Sequence, residues 1–173
     1  MYHFIQTPLG EMLLRRADSS EEAEVLALMR SAATWLLEKC IPQWQGALTD
    51  KGVQVVHLRV EAGLAYLGSL NGQNMETVSI QWEDSFSWGE KGLDGSAGYI
   101  HGLAVSRELA GKGIGRSLLG WSMDFIKVRK PYVRLDCMAE NPRLCRYYEE
   151  AGFSKVGQTG LPNGFKVNLY ENH

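Results

Sequence analysis

The stretch LAVSRELAGKGIGRSLLGWSMDFIKV, residues 103–128, joins an apolar run to three alternating glycines, Gly111, Gly113 and Gly115. An amphipathic pattern follows at once: Ile114, Leu118, Trp121, Phe125 and Val128 recur at helical spacing, and Pro131 stops the helix. Lys127, Arg129 and Lys130 collect at its end, where the dipole favours cations. The start of a helix exposes unpaired N–H groups and a partial positive charge, which together make an anion site. Glycine lets the preceding backbone approach such an anion and take positive φ. The stretch is therefore either a tight strand-to-helix turn or a phosphate cradle. A P-loop would need G-x-x-x-x-G-K-S/T, which no stretch contains. A dinucleotide loop, G-x-G-x-x-G, would need a third glycine at 116 or 118, and those positions hold Arg116 and Leu118. Asp136 lies about 20–25 residues downstream, where a ribose-binding acid would sit. An isolated acid on a strand is common and does not rescue either pattern.

The elements around this stretch alternate. Glu11 to Ala17 reads as a strand, and Asp18 to Lys39 as a helix with a Ser19/Glu22 capping box and a stripe of Val25, Leu28, Met29, Ala32 and Leu36. VQVVHLRVEAGLAYLGSLNG, residues 53–72, reads as two strands joined near Glu61-Ala62-Gly63. METVSIQW, residues 75–82, either extends the second strand past Asn71-Gly72 or forms another. Residues 83–98 are rich in turn formers and read as a long loop, and AGYIHGLAV, residues 97–105, as a buried strand. YVRLDCMA is a strand, NPRLCRYYEEAG a short helix and FKVNLYE a last strand. The order predicts a single α/β domain over residues 1–173, with a mixed, partly antiparallel sheet flanked by helices.

A length of 173 residues suits one domain with a core of its own. A net charge of -2 gives no general attraction to nucleic acid or anionic lipid, so neither is expected as a partner. The N-terminal residues lack the pattern of a signal peptide, and no apolar run approaches the roughly 20 residues of a membrane span. A soluble cytoplasmic protein is expected, as a monomer or homodimer. Cys40, Cys137 and Cys145 are widely spaced, and His3, His57, His101 and His173 are scattered, so no metal is expected.

The glycine loop resembles motif A of the GNAT (Gcn5-related) N-acetyltransferase superfamily, Q/R-x-x-G-x-G/A, in the register Ala110-Gly111-Lys112-Gly113-Ile114-Gly115. Both glycine positions match, and Ala110 replaces the usual Gln or Arg. NPRLCRYYEEAGF, residues 141–153, is independently similar to the family's motif B, and the two occur in the family's order. Together the motifs cover about 50 residues closely, and the remaining elements follow the family order loosely.

The resemblance implies transfer of an acetyl group from acetyl-CoA to a primary amine by direct attack in a ternary complex. It assigns the pyrophosphate to Gly111, Lys112, Gly113, Ile114, Gly115, Arg116 and Ser117, with Lys112 equally readable as a solvated surface cation. Leu103, Ala104 and Val105 would offer backbone groups to the pantetheine arm. Tyr148 falls at the motif B position whose hydroxyl protonates the leaving thiolate, although by spacing it shares a face with Leu144 and Ala151 and also reads as core. Asn141 reads as a helix cap and a cofactor contact. His101 would serve as general base, its ordinary imidazole range suiting neutral pH, or as a hydrogen-bonded core histidine. Direct transfer assigns no role to a cysteine.

Acceptor specificity in the family comes from the first helices and the loop before the motif A strand. Here these supply Trp35, Gln43, Trp44, Trp82 and Glu83, with acids Asp84, Glu90 and Asp94 against the single Lys91. Such a rim suits a small cationic amine, though a polar surface loop has the same composition. A protein or peptide N-acetyltransferase and a non-catalytic acyl-CoA-binding sensor are the rival functions.

Overall fold

Pro8 and Leu9 turn the chain between β1 (Tyr2–Thr7) and β2 (Gly10–Arg16), an antiparallel hairpin in the computed structural model, which describes residues 2–173. The Thr7 hydroxyl closes the turn by donating to the Gly10 carbonyl at 2.7 Å and accepting from the Leu9 amide at 3.2 Å. Only the second arm was legible in the sequence. β1 leaves Tyr2 and Phe4 exposed, so it carries no clean apolar face.

Helix α1 (Glu22–Glu38) follows a 3₁₀ turn, Ser19–Glu21, and buries Val25, Met29 and Ala33. The capping box forms one residue earlier than expected, between Asp18 and Glu21. Arg15 fixes it there by holding the Glu21 carboxylate at 2.6 Å, which puts Glu21 rather than Glu22 within reach of the Asp18 amide.

The segment 50–61 corrects the reading of two strands: it is a helix, α2 (Asp50–Glu61), and only β3 (Ala65–Leu70) is a strand. The valines suggested strand alternation, yet Val53 and Val55 are exposed while Gly52, Val56 and Val60 are buried at helical spacing. Thr49 caps the helix by accepting from the Lys51 amide. Gly52 lies so close to Ala47 that a Cβ would stand 2.7 Å from its backbone. Tertiary packing of this stripe overrides the β preference of valine. Asn71 and Gly72, both at positive φ, turn β3 into β4 (Gln73–Gln81), which settles the open question of METVSIQW as a separate antiparallel strand.

The expected long loop contains α3 (Ser85–Trp88) and a 3₁₀ turn, Gly89–Leu93. Then come β5 (Ala97–Val105), α4 (Ile114–Lys127), β6 (Tyr132–Met138), α5 (Pro142–Glu150), β7 (Ser154–Gly160) and β8 (Lys166–Asn172). β7 was not foreseen, because its polar, mostly exposed sequence SKVGQTG shows no buried alternation. The sheet order is β1-β2-β3-β4-β5-β6-β8-β7. β5 and β6 run parallel, joined by the crossover through α4, whereas β6–β8 and β7–β8 are antiparallel. The mixed, partly antiparallel sheet flanked by helices is the architecture expected from the sequence.

The chain forms two compact units, one of residues through Ser79 with Gly102–Trp121, the other of Ile80–His101 with Ser122–His173. In the first, Ala17, Val25, Met29, Val56, Val60 and Leu67 form one core cluster, and Ile5, Met12, Leu109 and Ile114 another. In the second, Trp88, Ala97 and Tyr99 pack together beside a buried Arg134. The Arg134 guanidinium binds Glu171 at 2.8 Å, the Tyr99 hydroxyl at 2.8 Å and the Lys91 carbonyl at 2.9 Å. The Ser96 hydroxyl and amide, with Arg134 beside them, hold the Asp94 carboxyl down at about 2. No helix among the described residues is long and apolar enough to cross a membrane.

Candidate active site

The glycine loop is built within the first unit. Gly111 and Gly113 take positive φ, +76° and +81°, and the chain enters α4 at Ile114. A Cβ on Gly111 would meet nothing within 4 Å, while one on Gly113 would stand 3.0 Å from the Pro8 ring. Gly111, Lys112, Gly113 and Arg116 are exposed, and Gly115 and Ser117 half-buried. The Gly113 carbonyl accepts from the amides of Arg116 and Ser117, which closes the first turn of α4. An open, left-handed glycine pair ahead of a 14-residue helix fits a bound phosphate group. Ala110 is exposed and donates its amide to the Arg107 carbonyl. In the same unit Ala104 is buried, while Leu103 and Val105 are half-buried.

His101 belongs to the second unit and is half-buried. Its Nε2 lies 3.2 Å from Oδ2 of Asp84. Asp84 is buried and held by its own segment: its Oδ1 accepts from the Ser87 amide at 3.0 Å and caps α3, and its amide donates to the Gly92 carbonyl at 3.0 Å. A Cβ at Gly92 would fall 2.0 Å from the Asp84 carbonyl oxygen, so the close return of the loop requires glycine there. Burial by itself would raise the Asp84 carboxyl, but His101 and the amides of Ser87 and Phe86 outweigh it and hold the carboxyl below its usual range. Asp136, on β6, completes a group in which one ligand atom each from Asp84, His101 and Asp136 lies within 4.8 Å of the others. His57 is similarly grouped with Glu22 and Glu61, and its Nδ1 is 3.0 Å from Glu22. Both groups have a cation-binding donor set that the scattered histidines of the sequence did not suggest.

Tyr148 lies on α5, its ring 6.1 Å from that of Phe153 and 6.3 Å from that of Tyr170. Burial, with Cys137, Tyr147 and Asp136 nearby, pushes its hydroxyl above the ordinary tyrosine value, so it is a protonated donor throughout the neutral range. Asn141 caps the same helix: its Oδ1 accepts from the Leu144 amide at 3.1 Å, with Pro142 next in the chain. The Cys137 and Cys145 sulfurs are 3.7 Å apart and both residues are buried. Burial drives the Cys137 thiol well up, which removes the thiolate a covalent route would need.

The acceptor residues read from the sequence fall in different settings. Trp35 lies under the Arg107 guanidinium, 4.1 Å from the ring centroid. Trp44 packs against the α1–α2 core cluster. In the second unit, Trp82 faces Phe125 with ring centroids 6.3 Å apart, and Glu83 is exposed. Of the loop acids, Glu83 and Glu90 face solvent, Asp94 binds Arg134 and Asp84 turns inward. The Asp84 contact with His101 and the proximity of Asp136 went unread in the sequence. The one usable signal was Asp84 three residues ahead of Ser87, an N-cap spacing that turns the aspartate into its own loop.

The Acetyltransferase (GNAT) family model matches residues 29–153. The chain is 30% identical over 144 residues to the uncharacterized N-acetyltransferase YesJ of Bacillus subtilis, covering 79% of each protein. It is 26% identical to the aminoglycoside N(6')-acetyltransferase type 1 of Klebsiella pneumoniae, over 98% of this chain and 92% of that one. A GNAT-family acetyltransferase structure from Listeria monocytogenes superposes with a TM-score of 0.81 at 27% identity, covering 98% of this chain and 99% of that chain. A family match that runs from α1 to the end of motif B, over the glycine turn and the Tyr148 helix alike, makes this chain a member of the GNAT family of N-acetyltransferases.

Proposed function

We propose that the protein, as one acyltransferase domain spanning residues 1–173, moves an acetyl group from acetyl-CoA to the primary amine of a small cationic molecule. It would do so as a cytoplasmic monomer or homodimer, without a metal. The observation that carries the reading is the left-handed Gly111/Gly113 turn at the start of α4, inside the region matched by the family. The backbone from Gly111 to Gly115, with Arg116 and Ser117 at the start of α4, holds the pyrophosphate, with charge from Lys112 and Arg116. The backbone of Leu103, Ala104 and Val105 holds the pantetheine arm, and Asn141 is a further cofactor contact. His101 takes a proton from the acceptor ammonium, and the free electron pair attacks the thioester carbonyl carbon. The tetrahedral adduct collapses with cleavage of the C–S bond, and the thiolate takes the Tyr148 proton. The proton shed by the new amide nitrogen restores Tyr148, and His101 releases the acceptor's proton to solvent.

A cationic acceptor is supported by the inward carboxylates of Asp84 and Asp136 beside His101, and by the resemblance to an aminoglycoside-acetylating enzyme over nearly the whole chain. Trp35, Trp44, Trp82 and Glu83 complete the proposed acceptor set. The test is an amine panel with acetyl-CoA, reading released thiol. Cationic amines are expected to react faster than neutral ones, and equal turnover would remove the acceptor preference. Tyr148→Phe is expected to lower kcat about a hundredfold while leaving the KM for acetyl-CoA within about twofold. Absence of thiol release with every amine, alongside retained acetyl-CoA binding, would point to a sensor instead.

A further inference from the structure

We infer that Asp84 is the positioning residue of the catalytic base: its buried carboxylate orients the His101 imidazole, an inference that rests on His101 being that base. Three observations converge on it. First, Asp84 Oδ2 and His101 Nε2 stand 3.2 Å apart, and neither atom has a hydrogen-bond partner elsewhere among the described residues. The contact is a close approach still out of line for a hydrogen bond, as catalytic contacts often are before substrate closes the site. Second, the segment around Asp84 has no freedom to turn it outward. Oδ1 is committed to the Ser87 amide, the backbone amide to Gly92, and the carbonyl is pressed against Gly92 where no Cβ fits. Third, the side chain of Asp84 is 5% exposed and that of His101 18%, so solvent screens the pair weakly.

The chemistry follows from which nitrogen is occupied. A carboxylate at Nε2 keeps the proton on that nitrogen and leaves Nδ1 as the basic lone pair for the acceptor ammonium. When Nδ1 takes the proton, the imidazolium that forms is stabilised by Oδ2 at contact distance. Among the described residues, the carboxylates with an oxygen close to the imidazole are those of Asp84 from the α3 segment and Asp136 from β6. Tyr99, two residues earlier on β5, turns its hydroxyl instead to Arg134 at 2.8 Å, and Lys91 on the same segment pairs with Glu171 at 3.3 Å. Asp84 is the group whose carboxylate is both buried and locked in place. The segment that reads as an acidic rim in sequence is, at this residue, an inward support for the base.

Asp84→Asn tests this, because asparagine keeps the Oδ1 cap on α3 and removes only the charge at Oδ2. The kcat should fall about tenfold, with an unchanged KM for acetyl-CoA, and Asp84→Glu should recover part of it. The Nε2–H tautomer of the His101 ring, read from its nitrogen chemical shifts by NMR, should be lost in the variant whether or not it turns over. An unchanged tautomer in a folded Asp84→Asn protein, with His101→Ala inactive, would overturn the pairing while leaving His101 as base. Wild-type rates in folded His101→Ala would overturn the inference for a separate reason, by removing the base it serves.

Discussion

At the scale of single residues, the most consequential side chain outside the reaction is Glu76. It is fully buried on β4 opposite Gly68, whose position a Cβ would contest at 2.5 Å from the Glu76 side chain. Neither carboxyl oxygen has a hydrogen-bond partner among the described residues, and burial pushes the group up to about 8. A carboxyl raised on folding is neutral in the folded chain where the unfolded chain has already ionised. Its contribution to stability is fully present below about pH 4.5 and is lost as pH rises to about 8, at up to ~1.4 kcal/mol per pH unit. Glu76→Gln should therefore flatten stability over that window in urea unfolding series. A constant wild-type-to-variant difference from pH 5 to pH 8 would contradict the assignment. Nothing in METVSIQW announces this, because an acid in an alternating strand reads as the solvent face.

Elements were legible where local signals and burial agree. α4 carries its stripe, its glycine entrance and its proline stop, and α5 its Asn141 cap with Pro142 behind it. α2 was misread because β-branched valines carry a strand preference that packing against Ala47 overrules. The glycine entrance has a physical test of its own. Gly113 lies at φ +81° with the Pro8 ring 3.0 Å from a would-be Cβ, so Gly113→Ala forces the turn out of its left-handed geometry at a cost of about 1–2 kcal/mol. The expected consequence is a KM for acetyl-CoA raised about tenfold with kcat nearly retained, measured by steady-state kinetics. A lowered kcat at unchanged KM would place Gly113 outside the phosphate cradle.

At the scale of the molecule, β1 to β4 pair antiparallel, β5 and β6 run parallel across the α4 crossover, and β8 and β7 pair antiparallel beyond them. Within the second unit, Arg134 ties β6 to β8 through Glu171 and to the segment before β5 through Asp94 and Ser96. It is 1% exposed, so removing it takes this partner from the half-buried Glu171 and the buried Tyr99 hydroxyl. Arg134→Met should lower unfolding free energy by roughly 3 kcal/mol, and thermal and urea unfolding of the variant would show it; an unchanged midpoint would mean the network is solvated. The sequence by itself determined the family and offered the phosphate loop and Tyr148 as candidates, because glycine spacing, caps and helical stripes are local and need no partner. The tertiary structure decided which loop acid turns inward to His101, why Glu76 is neutral and how Arg134 is satisfied. Those properties depend on burial and on contacts between segments far apart in the chain, which no local spacing encodes.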